Sequence, residues 1–163
     1  MIPRLILYSI FVIFLLSVPV TATSVRPGPN DQESIVLQLY RDFAWEAVMN
    51  QPTWKGLIDQ PREILERYFD EKLTSLILQD RACAKKQGLC KLDFLPIWGS
   101  QDPMASDLEV HQSAKPSIVS VKFRIPSNNE TVILFFQMSK TKKGWRISNI
   151  SSSNWSLLSI LSN

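Results

Sequence analysis

The stretch SIVSVKFRIPSNNETVILFFQMSK, residues 117–140, decides the fold. Val119, Val121 and Phe123 alternate with polar neighbours, which is the period of a strand with one buried face. The SNNE stretch that follows predicts a turn, because Asn tolerates positive φ. The apolar run at residues 133–136 then predicts a second strand, buried on both faces and therefore central in its sheet.

Shorter patterns extend this sheet on both sides. A short strand is predicted at residues 108–111, and WRISNI at residues 145–150 alternates again after the KTKKG turn. The tail SLLSILSN predicts a final amphipathic helical turn or two. The second half of the chain is therefore an antiparallel meander.

Helices are predicted ahead of the strands. The first begins at a capping box of Asn30 and Glu33 and runs to about Met49 with apolar residues at three- and four-residue steps. The second begins near Pro61 and ends by Gly88. The sequence does not decide whether a break near residues 70–72 divides it into two helices. Helices followed by antiparallel strands predict an α+β fold, with the N-terminal helices packed on one face of a curved antiparallel sheet.

The N-terminus has the pattern of a secretory signal peptide. Arg4 precedes an apolar run at residues 5–18, and small residues follow it up to Ala22. The run is shorter than the roughly 20 residues that span a bilayer. We predict a cleaved signal peptide at residues 1–22, a flexible lead-in at residues 23–33 and a single domain at residues 34–163, in the periplasm or secreted. A retained membrane anchor is the alternative.

Two cysteines, Cys83 and Cys90, lie in the exported part. In an oxidising compartment they predict one disulfide, which closes the loop ACAKKQGLC. A metal site would need further ligands, and His111 is the only histidine in the chain.

The formal charge of +3 is too small to predict nucleic-acid binding. Four basic residues do lie close together, and we interpret them as a solvated turn: Lys140, Lys142, Lys143 and Arg146. The chain has five glycines and neither a phosphate-binding glycine loop nor a G-x-S-x-G elbow, so we predict no cofactor.

The segment at residues 90–103, CKLDFLPIWGSQDP, carries a polar group whose role has several interpretations. Asp93, Gln101 and Asp102 could bind a ligand beside Trp98, or the acids could accept hydrogen bonds from loop amides while Trp98 anchors the loop. A calcium site that adds Asp107 is a third interpretation, although the spacing matches no EF-hand loop.

Three stretches together resemble a known family: YFDEKLTSLILQDRAC, LDFLPIWGSQDP and GWRISNI. They resemble a family of exported bacterial proteins described as a domain of unknown function, which is similar to the nuclear transport factor 2-like, or cystatin-like, superfamily. The resemblance covers about residues 35–161 and implies a cone-shaped α+β fold. The family pattern has an aspartate where this chain has Leu95, so a ligand or base at that position would be missing here.

Some members of that superfamily are enzymes, with an acid and a Tyr or His inside an apolar pocket. Burial raises the pKa of such an acid and lets it move protons. The corresponding candidates in this chain are Asp93, Tyr68, Tyr40 and His111. We interpret His111, alone in a polar strand, as a solvated residue.

We therefore expect a noncatalytic exported binding or interaction domain, which neutralises or scaffolds a protein partner or binds a small ligand. The expected contact surface is the concave face of the sheet together with the loop from Asp93 to Asp102. An isomerase or lyase that uses an acid in the cone is one alternative. An anchored component of an envelope secretion machine, held by residues 5–18, is another.

Overall fold

The computed structural model describes residues 31–48 and 54–163. The predicted signal peptide, residues 1–22, lies outside the described residues, as do Asn30 and the predicted helix end at Met49. Within the described part, no helix is both long and apolar enough to cross a membrane.

The first helix, α1, spans Gln32–Phe43. It is capped by Asp31, whose carboxylate accepts a hydrogen bond from the backbone nitrogen of Ser34 at 2.8 Å. Residues 32 and 33 of the predicted lead-in are therefore helical. The helix does not continue to Met49 as predicted, because its last turn tightens into a 3-10 helix at Ala44–Ala47.

The second predicted helix is two helices, α2 at Arg62–Tyr68 and α3 at Glu71–Gln87. Asp70 separates them: its backbone is extended, and its side chain accepts from the backbone nitrogen of Leu73 at 2.9 Å to cap α3. The end of α3 at Gly88, where φ is +85°, agrees with the prediction.

Four strands follow in the order β1-β2-β3-β4, and each is antiparallel to the next. They span Ser106–Gln112, Ile118–Ile125, Glu130–Thr141 and Gly144–Ser151, and the helix α4 follows them at Leu157–Ser162. Register shifts in the β1–β2 and β3–β4 pairs curve the sheet, which stays unclosed. The α+β fold predicted from the sequence is confirmed.

The helices pack on one face of this sheet, which we call the inner face. Val121 and Phe123 of β2, with Leu134 and Phe136 of β3, are buried there. The prediction that β3 is buried on both faces is wrong. Ile133 pairs with Lys122 and Phe135 with Ser120, so both project from the opposite, outer face of the sheet.

The two edges of the sheet differ. Beside β4, the backbone nitrogen of Asp70 donates to the carbonyl of Ile147 at 3.0 Å, and Phe69 forms a parallel bridge with the same residue. Beside β1, no further strand pairs among the described residues. Instead β1 contains a bulge between Ser106 and Glu109.

A disulfide joins the end of α3 to the segment that follows. Cys83 and Cys90 are bonded, and their Cα atoms are 5.9 Å apart, within the usual range for a disulfide. The structure thus contains the pairing that the sequence predicted.

Candidate functional site

The 90–103 segment is held to the inner face by its tryptophan. Trp98 is buried, with its ring edge-on to Tyr40 of α1 at 5.1 Å and to Phe123 of β2 at 5.5 Å. The hydroxyl of Tyr40 donates to the carbonyl oxygen of Ile97 at 2.5 Å. Burial raises the pKa of Tyr40 well above its usual value, so this hydroxyl keeps its proton. Trp98 therefore joins the segment to both layers of the fold.

The polar side chains of the same segment lie on the surface. Asp93, Gln101 and Asp102 are exposed, and the amide of Gln101 donates to Asp93 at 3.3 Å. The turn between them is closed by backbone bonds, from the nitrogen of Leu95 to the oxygen of Ser100 at 2.9 Å and from Gly99 to Leu95. Asp93 and Gln101 thus form an exposed hydrogen-bonded pair, and Asp102 is the next residue along the chain.

The other catalytic candidates do not come together with Asp93. Tyr68 of α2 donates a hydrogen bond to Asp42 of α1, and burial together with this carboxylate raises the pKa of Tyr68. His111 of β1 is exposed, with its Nε2 at 3.7 Å from a carboxylate oxygen of Glu109. Tyr68 is thus buried and bonded to Asp42, whereas Asp93 and His111 are exposed on different elements.

The acids of the calcium interpretation are not grouped as metal ligands in the described part of the chain. Asp107 lies in the β1 bulge, where its carboxylate is 3.8 Å from the guanidinium of Arg124. Across residues 31–48 and 54–163, no three His, Cys, Asp or Glu side chains are grouped as metal ligands.

One buried acid was not singled out from the sequence. Glu46 is only 9% exposed, and its Oε1 accepts from the backbone nitrogen of Leu57 at 2.6 Å. Its Oε2 is buried without a hydrogen-bond partner. Burial is the main cause that raises the pKa of Glu46, and the negative charge of Asp59 raises it further. The Leu57 amide and the nearby Trp98 indole lower it, but the net shift is upward. In the sequence, Glu46 lies three residues after Phe43, in line with the apolar positions of the predicted first helix, and this position was the signal for its burial.

The outer face of the sheet carries two large apolar side chains on a central strand. Ile133 is 45% exposed and Phe135 is 38% exposed. We call these two residues the outer-face patch. The charges beside it are paired, since Lys122 is 3.4 Å from Glu109. The patch is therefore apolar within a rim of balanced charge.

A polar cleft adjoins this face at the end of β4. It is an open depression of about 560 Å³ lined by Gln137 and Asn149, by the loop at residues 151–156, and by Ser159, Ile160 and Asn163 of the C-terminal segment. None of its lining side chains carries a charge. We call it the polar cleft.

A second depression, of about 550 Å³, contains basic residues near the β3–β4 turn. Lys143 is 3.2 Å from the carboxylate of Glu66, and the Nε of Arg146 donates to the backbone oxygen of Glu66 at 2.7 Å. Lys140 lies over the ring of Trp145 at 5.0 Å. The basic cluster is thus largely engaged with protein groups.

Comparisons with models of protein families, with curated proteins and with solved structures give no match to the chain. The likeness to the exported bacterial family and to the nuclear transport factor 2-like superfamily stays a prediction from the three sequence stretches.

Proposed function

We propose that the chain is a noncatalytic exported domain that binds a protein partner through the outer-face patch. The observation that carries the proposal is the exposure of Ile133 and Phe135 side by side on a central strand. Contiguous apolar surface within a polar rim is typical of interaction sites. Burial of these two side chains would be the main energetic gain of docking.

The inner face was the surface expected from the sequence, and its packing disfavours it. Tyr40, Trp98, Phe123 and Phe136 are buried between α1 and the sheet, with neighbouring ring centroids 5.1 to 5.9 Å apart. These rings occupy the space that a ligand in the cone would need. The proposal therefore places the contact on the outer face; the loop from Asp93 to Asp102, the other part of the expected surface, is exposed.

The charge distribution indicates the partner's chemistry. The charges that flank the patch pair with each other across β1 and β2, Lys122 with Glu109 and Arg124 with Asp107. Because these charges are balanced, the surface beside the patch offers little net charge to attract a strongly charged partner. The proposal therefore specifies a protein surface with exposed apolar side chains and little net charge, which the domain neutralises or scaffolds.

The positions of the catalytic candidates support a binding role over an isomerase or lyase. Asp93 and His111 are exposed on different elements, and the Tyr68 hydroxyl is engaged with Asp42. In the proposal, the curved sheet and its helices are the cone of a nuclear transport factor 2-like fold, and residues 1–22 direct export. The anchored alternative depends on residues 5–18, outside the described residues.

Site-specific photo-crosslinking in the producing cells tests the proposal. A photoreactive phenylalanine analogue is placed at position 135 and, as a control, at the exposed position of Lys86 at the end of α3. We expect a discrete protein adduct from position 135 only, and its loss when Ile133→Asp is added. Equal adducts from both positions, or none from position 135, would contradict the proposal.

A further inference from the structure

We propose that the polar cleft is a binding site for a neutral polyhydroxylated ligand, such as an oligosaccharide. This site is separate from the docking of a protein on the outer-face patch and does not depend on it. The inference rests on the chemistry of the lining, on its rigidity and on an aromatic ring at its side.

The lining offers hydroxyl and amide groups without charge. Serine hydroxyls and the amides of Asn and Gln each donate and accept hydrogen bonds, as sugar hydroxyls do. Charged residues make up 20% of the chain, so a lining without any of them stands apart from the rest of the surface. Phosphates and carboxylates would find no counter-charge among the lining side chains, which disfavours an anionic ligand.

The floor of the cleft is held by a buried amide. Asn149 accepts at Oδ1 from the backbone nitrogen of Leu158 at 2.8 Å, and its Nδ2 donates to the hydroxyl of Ser156 at 3.0 Å. These bonds join β4 to the start of α4. Because the floor is already ordered, a ligand would lose little free energy to organising it.

The loop over the floor is also closed internally. The backbone nitrogen of Ser152 donates to the carbonyl of Trp155 at 3.0 Å. The hydroxyl of Ser152 donates to Oδ1 of Asn154 at 2.6 Å. The oxygen of the exposed Asn154 side chain is thereby engaged, and its amide nitrogen is left as a donor for a ligand.

Trp155 supplies an apolar side to the cleft. Its ring is edge-on to Phe94 at 5.0 Å and packs beside Gly99, which fixes its orientation while the side chain stays partly exposed. Tryptophan pairs an apolar body with a polar tip, which suits the alternating C–H and hydroxyl surfaces of a sugar ring. The cleft volume of about 560 Å³ is within the range of small-ligand sites.

Isothermal titration calorimetry on the purified protein tests the inference. The probes are maltohexaose, cellohexaose and chitotetraose, with polygalacturonate as the charged comparison. We expect at least one neutral probe to bind, and both Asn154→Ala and Ser159→Leu to weaken that binding by roughly tenfold. Ser127→Leu, in the distant and exposed β2–β3 turn, is the matched control and should leave the affinity unchanged.

Three results would overturn the inference. They are no heat of binding with any neutral probe, tighter binding of polygalacturonate than of the neutral probes, and binding of a neutral probe that neither cleft variant weakens. The Ile133→Asp variant separates this site from the proposed function. It removes the protein adduct if that proposal holds, and it should leave oligosaccharide binding unchanged.

Discussion

The hydroxyl of Tyr40 on α1 donates a hydrogen bond to the carbonyl oxygen of Ile97, 57 positions later in the chain. Both groups are buried, and Trp98, next to Ile97, packs against the Tyr40 ring. The irregular 90–103 segment thus gains a fixed position in the core through one side chain of the first helix.

Replacement of this hydroxyl tests how much the contact stabilises the fold. Tyr40→Phe leaves the Ile97 carbonyl buried without its partner, so the free energy of unfolding should fall by about 1–3 kcal/mol. Tyr68→Phe is the matched control, because its partner Asp42 is exposed and can bond to water instead. Urea denaturation measures the free energy of unfolding of both variants. Equal losses would show that the buried Tyr40 bond stabilises the fold no more than the Tyr68 bond does.

The buried acid Glu46 predicts a pH dependence of stability. Because burial raises its pKa in the folded state, its contribution is complete below the unfolded value and is lost as pH rises through the folded pKa. The free energy of unfolding should therefore fall more steeply from about pH 4 upward in the parent than in Glu46→Gln. The glutamine can still accept from Leu57 and does not ionise. Parallel curves for the two proteins would contradict the prediction.

Two glycines with positive φ should differ in their tolerance of alanine. At Gly99, where φ is +65°, an added Cβ would lie 3.3 Å from the Trp155 ring and 3.6 Å from Leu134. At Gly88, where φ is +85°, nothing lies within 4 Å. We expect Gly88→Ala to cost about 1 kcal/mol from backbone strain alone. Gly99→Ala should cost roughly 1–2 kcal/mol more because of crowding. Thermal unfolding gives the ranking, and the reverse order would refute it.

The disulfide should stabilise the protein by constraining the unfolded chain. Joint replacement of Cys83 and Cys90 by serine should lower the free energy of unfolding by roughly 2–3 kcal/mol, the loop-entropy value for so short a closed loop. Added reductant should destabilise the parent and leave the double variant unchanged. Two free thiols in the mass spectrum of the purified parent would contradict the pairing.

Neighbouring phenylalanines of β3 distinguish the two faces of the sheet. Phe136→Ala removes a buried ring and should cost about 3–5 kcal/mol, whereas Phe135→Ala on the outer face should cost about 1 kcal/mol. Denaturant titration compares them. A large loss at Phe135 would mean that the residue supports the fold, which would weaken its assignment to a docking surface.

Local periodicity was sufficient to predict the helices, the meander and the inner-face residues of β2. It could not decide which side of β3 is covered, because four consecutive apolar residues at positions 133–136 fit both a fully buried strand and a strand with an apolar outer face. Which faces of β3 are buried depends on whether helices cover one side of the sheet or both. The sequence pattern of a single strand does not contain that information.

The candidate site was less predictable for a related reason. Glu46 was missed because, although it falls on the apolar stripe, its burial also depends on contacts with Leu57 and Trp98 outside the first helix. The polar cleft arises where α4 returns to β4 beside Asn149, and no motif encodes that contact. Asp93 and Asp102 were candidates because of their residue types and the family resemblance, and the structure places them on the surface.

The bridge of Phe69 and Asp70 to Ile147 also limits how copies of this protein can associate through their sheets. Exposed strand edges are templates for the addition of further strands, and an endless fibril needs two of them on every molecule. Here the chain's own backbone covers β4 at Ile147, whereas no strand pairs with the outer side of β1 among the described residues. Pairing between two β1 strands would end at a closed dimer, so the extended residues Phe69 and Asp70 between α2 and α3 oppose edge-to-edge polymerisation at the part of β4 that they cover.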